Sequence, residues 1–140
     1  LYDNPISKRV ASFIGNMNFL TVDVVSIDGT KVKIESISLG RLTILRKQFP
    51  REPKNTTVEL GIRPEMLAIS NKGPKNSKHS AEVKIKEIAF FGDYTQYKVQ
   101  FLSSNVIVIV SEMHSHKISE RALGDTVYIS WDPNSFVGFI

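Results

Sequence analysis

The chain has 140 residues, 41% hydrophobic and 23% charged, with a net charge of +4 and no cysteine. This length allows one ordinary domain or two very small ones. The lack of cysteine excludes disulfides and thiolate chemistry, and the apolar runs are too short to span a membrane as helices. With no secretory signal pattern in the sequence, these features favour a cytosolic location.

The first fifteen residues differ from the rest. Asn4 followed by Pro5 is typical of a helix start, and Gly15 is a natural stop. Val10, Phe13 and Ile14 follow at helical spacing. We therefore predict a short N-terminal helix within residues 1–18, and we expect its packing partner to lie in an absent N-terminal domain.

From Phe19 onward the pattern is that of β-strands. Apolar residues alternate over 20–24, and Asp28-Gly29 predicts a tight hairpin turn into a second alternating strand over 32–34. Past this strand the apolar phase slips by one, at 37–39. We interpret the slip as a β-bulge that bends a strand around a small barrel.

The remaining strands follow at regular spacing. Residues 46–56 read as a loop and 58–62 as a strand, and the polar, basic segment 71–79 resembles a linker. Alternating strands with a further phase slip and glycine turns fill most of 80–140. The fold class is therefore all-β, with two small OB-like barrel units, about 19–70 and 80–140, packed together. No convincing sequence repeat relates these halves.

Catalytic and metal-binding signals are weak. Glu112, His114 and His116 share a face if extended and could hold zinc, but exposed loop histidines are the favoured interpretation. The glycine-rich phosphate loop and the Gly-x-Ser-x-Gly nucleophile elbow are absent from the sequence. We predict no catalytic, cofactor-binding or metal-binding residues.

The run Val106–Val110 is apolar on both predicted faces. A strand with one solvent face should alternate, so either the neighbouring barrel or a partner subunit covers the outer face. Ile107 and Ile109 are thus interface candidates. Trp131 and Phe136 flank a turn and are interpreted as core packing rather than as a ligand platform.

Positive charge is concentrated in the middle of the chain. Residues 41–86 contain eleven Lys or Arg and four Asp or Glu, whereas the remainder is net negative. Solvated loop lysines explain this pattern best, because aromatic residues are not interleaved as stacking platforms. An OB-type module that binds single-stranded nucleic acid is the alternative.

The segment Leu60–Glu65 (LGIRPE) predicts a rigid corner after a strand. Gly61 needs no room for a side chain, and Pro64 fixes the backbone and ends strand pairing. Arg63 and Glu65 flank the proline with opposite charges. We expect this pair to pin the corner through charged hydrogen bonds.

These motifs together resemble a known family. LYDNP…VASFIG near the N-terminus, LGIRPE, FGDY at 91–94, LGDTV at 123–127 and ISWDPNSF at 129–136 resemble the C-terminal part of bacterial ABC importer ATP-binding subunits. That part is a transport-associated OB (TOBE) domain. The ending with Trp131, Asp132 and Pro133 is most similar to spermidine/putrescine importers, with iron, sulfate and sugar importers as near alternatives. The oxyanion-binding motif of molybdate-binding members finds no counterpart.

The resemblance implies a non-catalytic regulatory and dimerisation domain. Residues 1–18 would be the tail of an absent ATPase domain and 19–140 the TOBE domain, with ATP and Mg expected only in the absent part. The implied partners are a second copy of the subunit and, through the absent domain, membrane permease subunits, but no nucleic acid. The implied location is the cytoplasmic face of the membrane. A small-ligand sensor between the barrels is a further alternative.

Overall fold

A computed structural model describes residues 16–73, 79–114 and 120–139. The predicted N-terminal helix lies outside the described residues. Within them, no helix is long and apolar enough to cross a membrane.

The described part of the chain is all-β, as predicted. It contains ten strands, all in antiparallel pairs: β1 (Asn18–Asp28), β2 (Lys31–Ser36), β3 (Gly40–Leu45), β4 (Thr57–Ile62), β5 (Ala68–Ser70), β6 (Ser80–Phe91), β7 (Tyr94–Phe101), β8 (Ile107–Met113), β9 (Thr126–Ser130) and β10 (Val137–Phe139).

The strands form two five-stranded sheets with the same topology. The first has the order β10-β4-β1-β2-β3 and the second the order β5-β9-β6-β7-β8. In each, three consecutive strands form a meander, and a fourth returns to lie beside the first, which is the Greek-key order. The sequence patterns did not reveal this repeat. Because both strand orders are open-ended, full closure into barrels stays a prediction.

The fifth strand of each sheet comes from the other half of the chain. Strand β5 follows β4 in sequence but pairs with β9, and β10 follows β9 but pairs with β4. Two compact units result, one of residues 1–63 and 132–140 and the other of 64–131. These units differ from the predicted division into two consecutive stretches of chain, because β5 belongs to the second unit and β10 to the first.

The two crossover segments are built alike. After β4 and Arg63, a 3-10 turn begins at Pro64, the buried Leu67 follows, and β5 begins. After β9, a 3-10 turn begins at Pro133, the buried Phe136 follows, and β10 begins. The two motifs that stand out in the sequence, LGIRPE and ISWDPNSF, are therefore equivalent elements of the two halves.

The predicted hairpin and one predicted bulge are confirmed. Gly29 turns β1 into β2 with a φ of 62°, which favours glycine. The register of β6 shifts between Ile85 and Glu87, where the apolar phase slips. A corresponding shift lies in β1, between Val24 and Ser26.

The bulge predicted at 37–39 is wrong. Strand β2 ends at Ser36, whose Oγ accepts a hydrogen bond from the Leu39 amide at 2.8 Å, and β3 begins at Gly40. The phase slips because the chain reverses there. Ile37 is consequently 78% exposed at the tip of a hairpin.

Each unit has its own apolar core. The first is formed by Leu20, Val22, Val32, Ile34, Leu39, Leu42, Ile44, Phe49, Val58, Leu60, Ile62, Phe136 and Phe139. The second is formed by Leu67, Val83, Ile85, Tyr97, Val99, Phe101, Val108, Val110, Val127, Ile129 and Trp131. The exchanged segment contributes Phe136 and Phe139 to the first core and Leu67 to the second, so neither core is complete without it.

Gly138 of β10 lies directly against the ring of Phe49. A Cβ atom at Gly138 would lie within 2.7 Å of three ring carbons of the buried Phe49. Such overlap forces the ring or the strand to move, at a cost of about 1–3 kcal/mol. We predict that Gly138→Ala lowers the free energy of unfolding by this amount, measured by urea denaturation followed by circular dichroism.

Gly73→Ala is the matched control. Its Cβ would lie 3.5 Å from the Tyr128 ring, an ordinary contact. We expect a change within about 0.5 kcal/mol. Equal stability of the two variants would show that β10 is not packed as closely as described.

Candidate functional site

The Leu60–Glu65 corner is the first crossover. Gly61 lies inside β4, paired with Phe19 and Val137, and a Cβ there would be 2.8 Å from the Phe139 ring. The missing side chain thus leaves room for Met17 as well as for the exchanged strand. Pro64 is buried at the start of the 3-10 turn.

The two charged residues of this corner differ in their exposure to solvent. Arg63 is half-buried and has an interaction in the structure, whereas Glu65 is exposed. Within residues 16–73, 79–114 and 120–139, the Glu65 carboxylate takes part in no hydrogen bond or ion pair. The pinning role of this pair stays a prediction.

The second crossover is capped by Asp132. Its carboxylate accepts a hydrogen bond from the Asn134 amide at 2.9 Å, and Pro133 occupies the first position of the 3-10 turn. Trp131 and Phe136 are both buried, with 6% and 1% exposure. Their burial agrees with the core-packing interpretation.

Gln48 fastens the second crossover to the first unit, a role that sequence reasoning missed. Its Nε2 donates to the carbonyls of Pro133 and Phe136 at 2.9 and 2.8 Å, and its Oε1 accepts from the Leu45 amide at 2.8 Å. These bonds span more than 80 residues of sequence. No local pattern around Gln48 signals them.

Arg121 has the corresponding position in the second unit. It lies between β8 and β9, as Gln48 lies between β3 and β4, and its guanidinium donates to the Ile69 carbonyl and to Asn71 Oδ1. It also donates to the Tyr97 hydroxyl and to the Glu112 carboxylate. Arg121 thereby links the exchanged β5 segment to β7 and β8.

The charge of Arg121 is neutralised where it lies. The side chain is 3% exposed, and its Cζ lies 5.4 Å from the centre of the Tyr97 ring. Burial alone would lower the pKa of Arg121, but the hydrogen bonds and charge of Glu112 and Tyr97 outweigh it and raise that pKa. Because the pKa is raised, the stability that charged Arg121 contributes would be lost only as the pH rises above the ordinary arginine range. Arg121 itself therefore adds no pH dependence near neutrality.

The zinc alternative loses two of its three candidate ligands to other partners. Glu112 pairs with Arg121, and His114 Nε2 lies within hydrogen-bonding distance of the buried Thr95 hydroxyl. His116 lies outside the described residues. In the described ranges, no group of three or more His, Cys, Asp or Glu residues is arranged to hold a metal.

The interface candidates lie on the outer face of the second sheet. Ile109 and Ile107 pair directly with Lys98 and Gln100, so these side chains share a face. Ile107 is 52% exposed. At the other end of the same face, Phe91 stacks on Tyr94, with ring centres 5.1 Å apart.

The basic middle of the chain offers no aromatic platform. Phe49, the one aromatic residue between 41 and 86, is 3% exposed in the core of the first unit. Arg41 is exposed and pairs with Glu35 across the β2–β3 hairpin. This arrangement favours solvated charges over a nucleic-acid groove.

Two Greek-key sheets with the same strand order, joined by short crossovers, define an all-β module of the OB-like class. The family model of the TOBE domain matches residues 60–139. That match covers more than half of the chain, so the chain belongs to the TOBE domain family.

Curated relatives cover nearly the whole chain. It is 31% identical over 134 residues to the spermidine/putrescine import ATP-binding protein PotA of Pseudomonas aeruginosa, covering 94% of this chain and 36% of that protein. The proteins of the same name from Thermobifida fusca and Thermotoga maritima are each 26% identical, covering 95% and 98% of this chain and 34% and 38% of theirs. The chain therefore spans about a third of the length of the relatives it matches.

A solved structure shares the fold. The cytoplasmic molybdate-binding protein ModG, with molybdate bound, superposes with a TM-score of 0.62 over 89% of this chain and 95% of that one. At 8% identity, the likeness concerns the fold alone.

The Arg121–Glu112 pair generates a prediction about stability. Arg121→Met leaves the carboxylate, the Tyr97 hydroxyl and Asn71 Oδ1 without their donor. We expect a loss of about 2–4 kcal/mol in the free energy of unfolding. The double variant Arg121→Met with Glu112→Gln should lose less free energy of unfolding than the two single variants added together. We expect a difference of about 1–3 kcal/mol, measured by a double-mutant cycle in urea.

The matched control is the Lys98–Glu87 pair of the same unit. Its N···O distance is 3.0 Å, but both side chains are about half exposed or more, at 49% and 65%. Its coupling energy should stay below about 1 kcal/mol. Equal coupling in the two pairs would contradict the fastening role of Arg121.

Proposed function

We propose that this chain is the regulatory and dimerisation module of an ABC importer ATP-binding subunit that takes part in polyamine uptake. The observation that carries the proposal is the TOBE match over residues 60–139 together with relatives named as spermidine/putrescine import ATP-binding proteins. The whole protein would couple ATP hydrolysis to solute uptake. The module itself would be architectural, without catalysis.

The internal construction supports a mechanical role. Gln48 and Arg121 use their polar groups to hold the exchanged segments in place. Chemical sites need groups poised toward a bound substrate. A module whose polar groups fix its own segments is suited to transmit or resist force between other parts.

The proposal includes partners and a location. The chain would contact a second copy of the subunit and, through the ATP-binding part, membrane permease subunits on the cytoplasmic face. ATP and Mg would bind to that part alone. Among the surfaces of this chain, the outer face around Ile107 and Ile109 is proposed as the contact between copies.

Sedimentation of variants tests this contact. We predict that Ile107→Glu and Ile109→Glu weaken self-association, because a carboxylate in an apolar contact loses its hydration. The matched control is Val25→Glu, since Val25 is 57% exposed on a strand of the first unit. If both isoleucine variants stay folded with unchanged mass, the face is not an interface.

A hybrid tests the regulatory role. Joining this chain to the ATP-binding portion of the Thermotoga maritima relative should give a dimeric ATPase, whereas the chain alone should not hydrolyse ATP. Removing the chain from the hybrid should reduce dimerisation and change the ATPase rate. Identical mass and rate with and without the chain would overturn the proposal.

A further inference from the structure

The slot that holds β10 is formed by the early part of the chain. All three residues of β10 pair with β4, a strand more than 70 residues earlier. Phe139 packs edge-to-face on the ring of Phe19, with ring centres 5.5 Å apart, and Gly138 lies against the ring of Phe49. The partners of β10 therefore lie within residues 16–63.

The turn that precedes β10 is held in the same way. Gln48 Nε2 donates to the carbonyl oxygens of Pro133 and Phe136 at 2.9 and 2.8 Å, and Phe136 is 1% exposed. The first unit thus binds the segment 132–140 through both its backbone and its side chains, although this segment follows the second unit in the chain.

A short hinge connects this segment with the second unit. The boundary between the units falls between Trp131 and Asp132, just after β9 ends at Ser130. The 3-10 turn begins at once with Pro133, and Asp132 caps it through the Asn134 amide. Short hinges of this kind favour exchange, between two copies of a protein, of the segment that follows them.

The contacts of the slot are the same whichever copy supplies the segment. Pairing with β4, the hydrogen bonds of Gln48 and the burial of Phe136 and Phe139 do not depend on which chain carries the strand. Connectivity decides between the copies, since a tethered segment is present at an effective concentration of about 1 mM. A second copy competes when its own concentration is similar or when a short hinge hinders closure.

We infer that two copies of this chain exchange residues 132–140, so that β10 of each copy pairs with β4 of the other. For its physiological setting the inference rests on the proposed function, because a dimeric subunit would hold two copies side by side. The exchange itself does not depend on that setting. It requires a second copy at high concentration and can be measured with the chain alone.

Nuclear magnetic resonance of a mixed dimer tests the inference. Isotopically labelled and unlabelled chains are unfolded together in urea and refolded at about 1 mM, and the dimer is isolated by size exclusion. Isotope-filtered spectra should show intermolecular nuclear Overhauser effects between the rings of Phe139 and Phe19, and between Gly138 and the Phe49 ring. A purely monomeric product would overturn the inference, as would a dimer in which these effects arise only within one chain.

Lengthening the hinge provides a matched pair of variants. The linker Gly-Ser-Gly-Ser inserted between Trp131 and Asp132 should let the segment close on its own chain and lower the dimer fraction at least about threefold. The same linker inserted between Lys54 and Asn55, in an exposed loop of the first unit, should leave that fraction unchanged. Equal dimer fractions in the two variants would contradict the exchange.

Ile107→Glu separates this exchange from the proposed contact between copies. Ile107 lies in β8, outside the slot and its hinge, so the exchanged dimer should persist in this variant. Its loss would assign the dimer to the outer face of the second sheet and overturn the exchange. Failure of the exchange leaves the mass and ATPase measurements on the hybrid unaffected.

Discussion

The reciprocal exchange of two short strands is the constraint on which both units depend. Strands β5 and β10 have three residues each, too few to hold a place in a sheet by backbone hydrogen bonds alone. Their positions are secured by what accompanies them. Phe136 and Phe139 fill the core of the first unit, and Leu67 does so in the second. Gln48 and Arg121 then fasten the two segments through hydrogen bonds to their backbones.

The exchange also explains why the two conspicuous motifs are placed where they are. Each crossover must leave one sheet, turn at once and enter another, so each has a proline at the start of its 3-10 turn. Gly61 and Gly138 provide the space that the packed aromatic rings need. Motifs that resemble family markers in the sequence thus have a direct structural purpose. They join two units that share one topology.

The sequence predicted what is local. The Asp28-Gly29 hairpin depends on one glycine backbone, and the bulge near Ile85 depends on the phase of a single strand. The slip at 37–39 was misinterpreted because a bulge and a chain reversal shift the apolar phase in the same way. Strand exchange could not be predicted, since β10 pairs with a strand more than 70 residues earlier. Gln48 and Arg121 look like ordinary polar loop residues until those distant partners are in place.

The buried polar side chains also bear on the proposed function. The hydrogen bonds of Gln48 lie inside the first unit and those of Arg121 inside the second. Such internal fastening would suit the architectural role proposed above.

The first unit depends on its exchanged strand, and amide hydrogen exchange in a shortened chain tests this dependence. Removing residues 132–140 takes away Phe136 and Phe139, each worth about 3–5 kcal/mol when buried, which together rival the stability of a small domain. We expect the amides of β1, β2 and β4 to lose protection while those of β6 and β7 keep theirs. Full protection of the first unit in the shortened chain would contradict it.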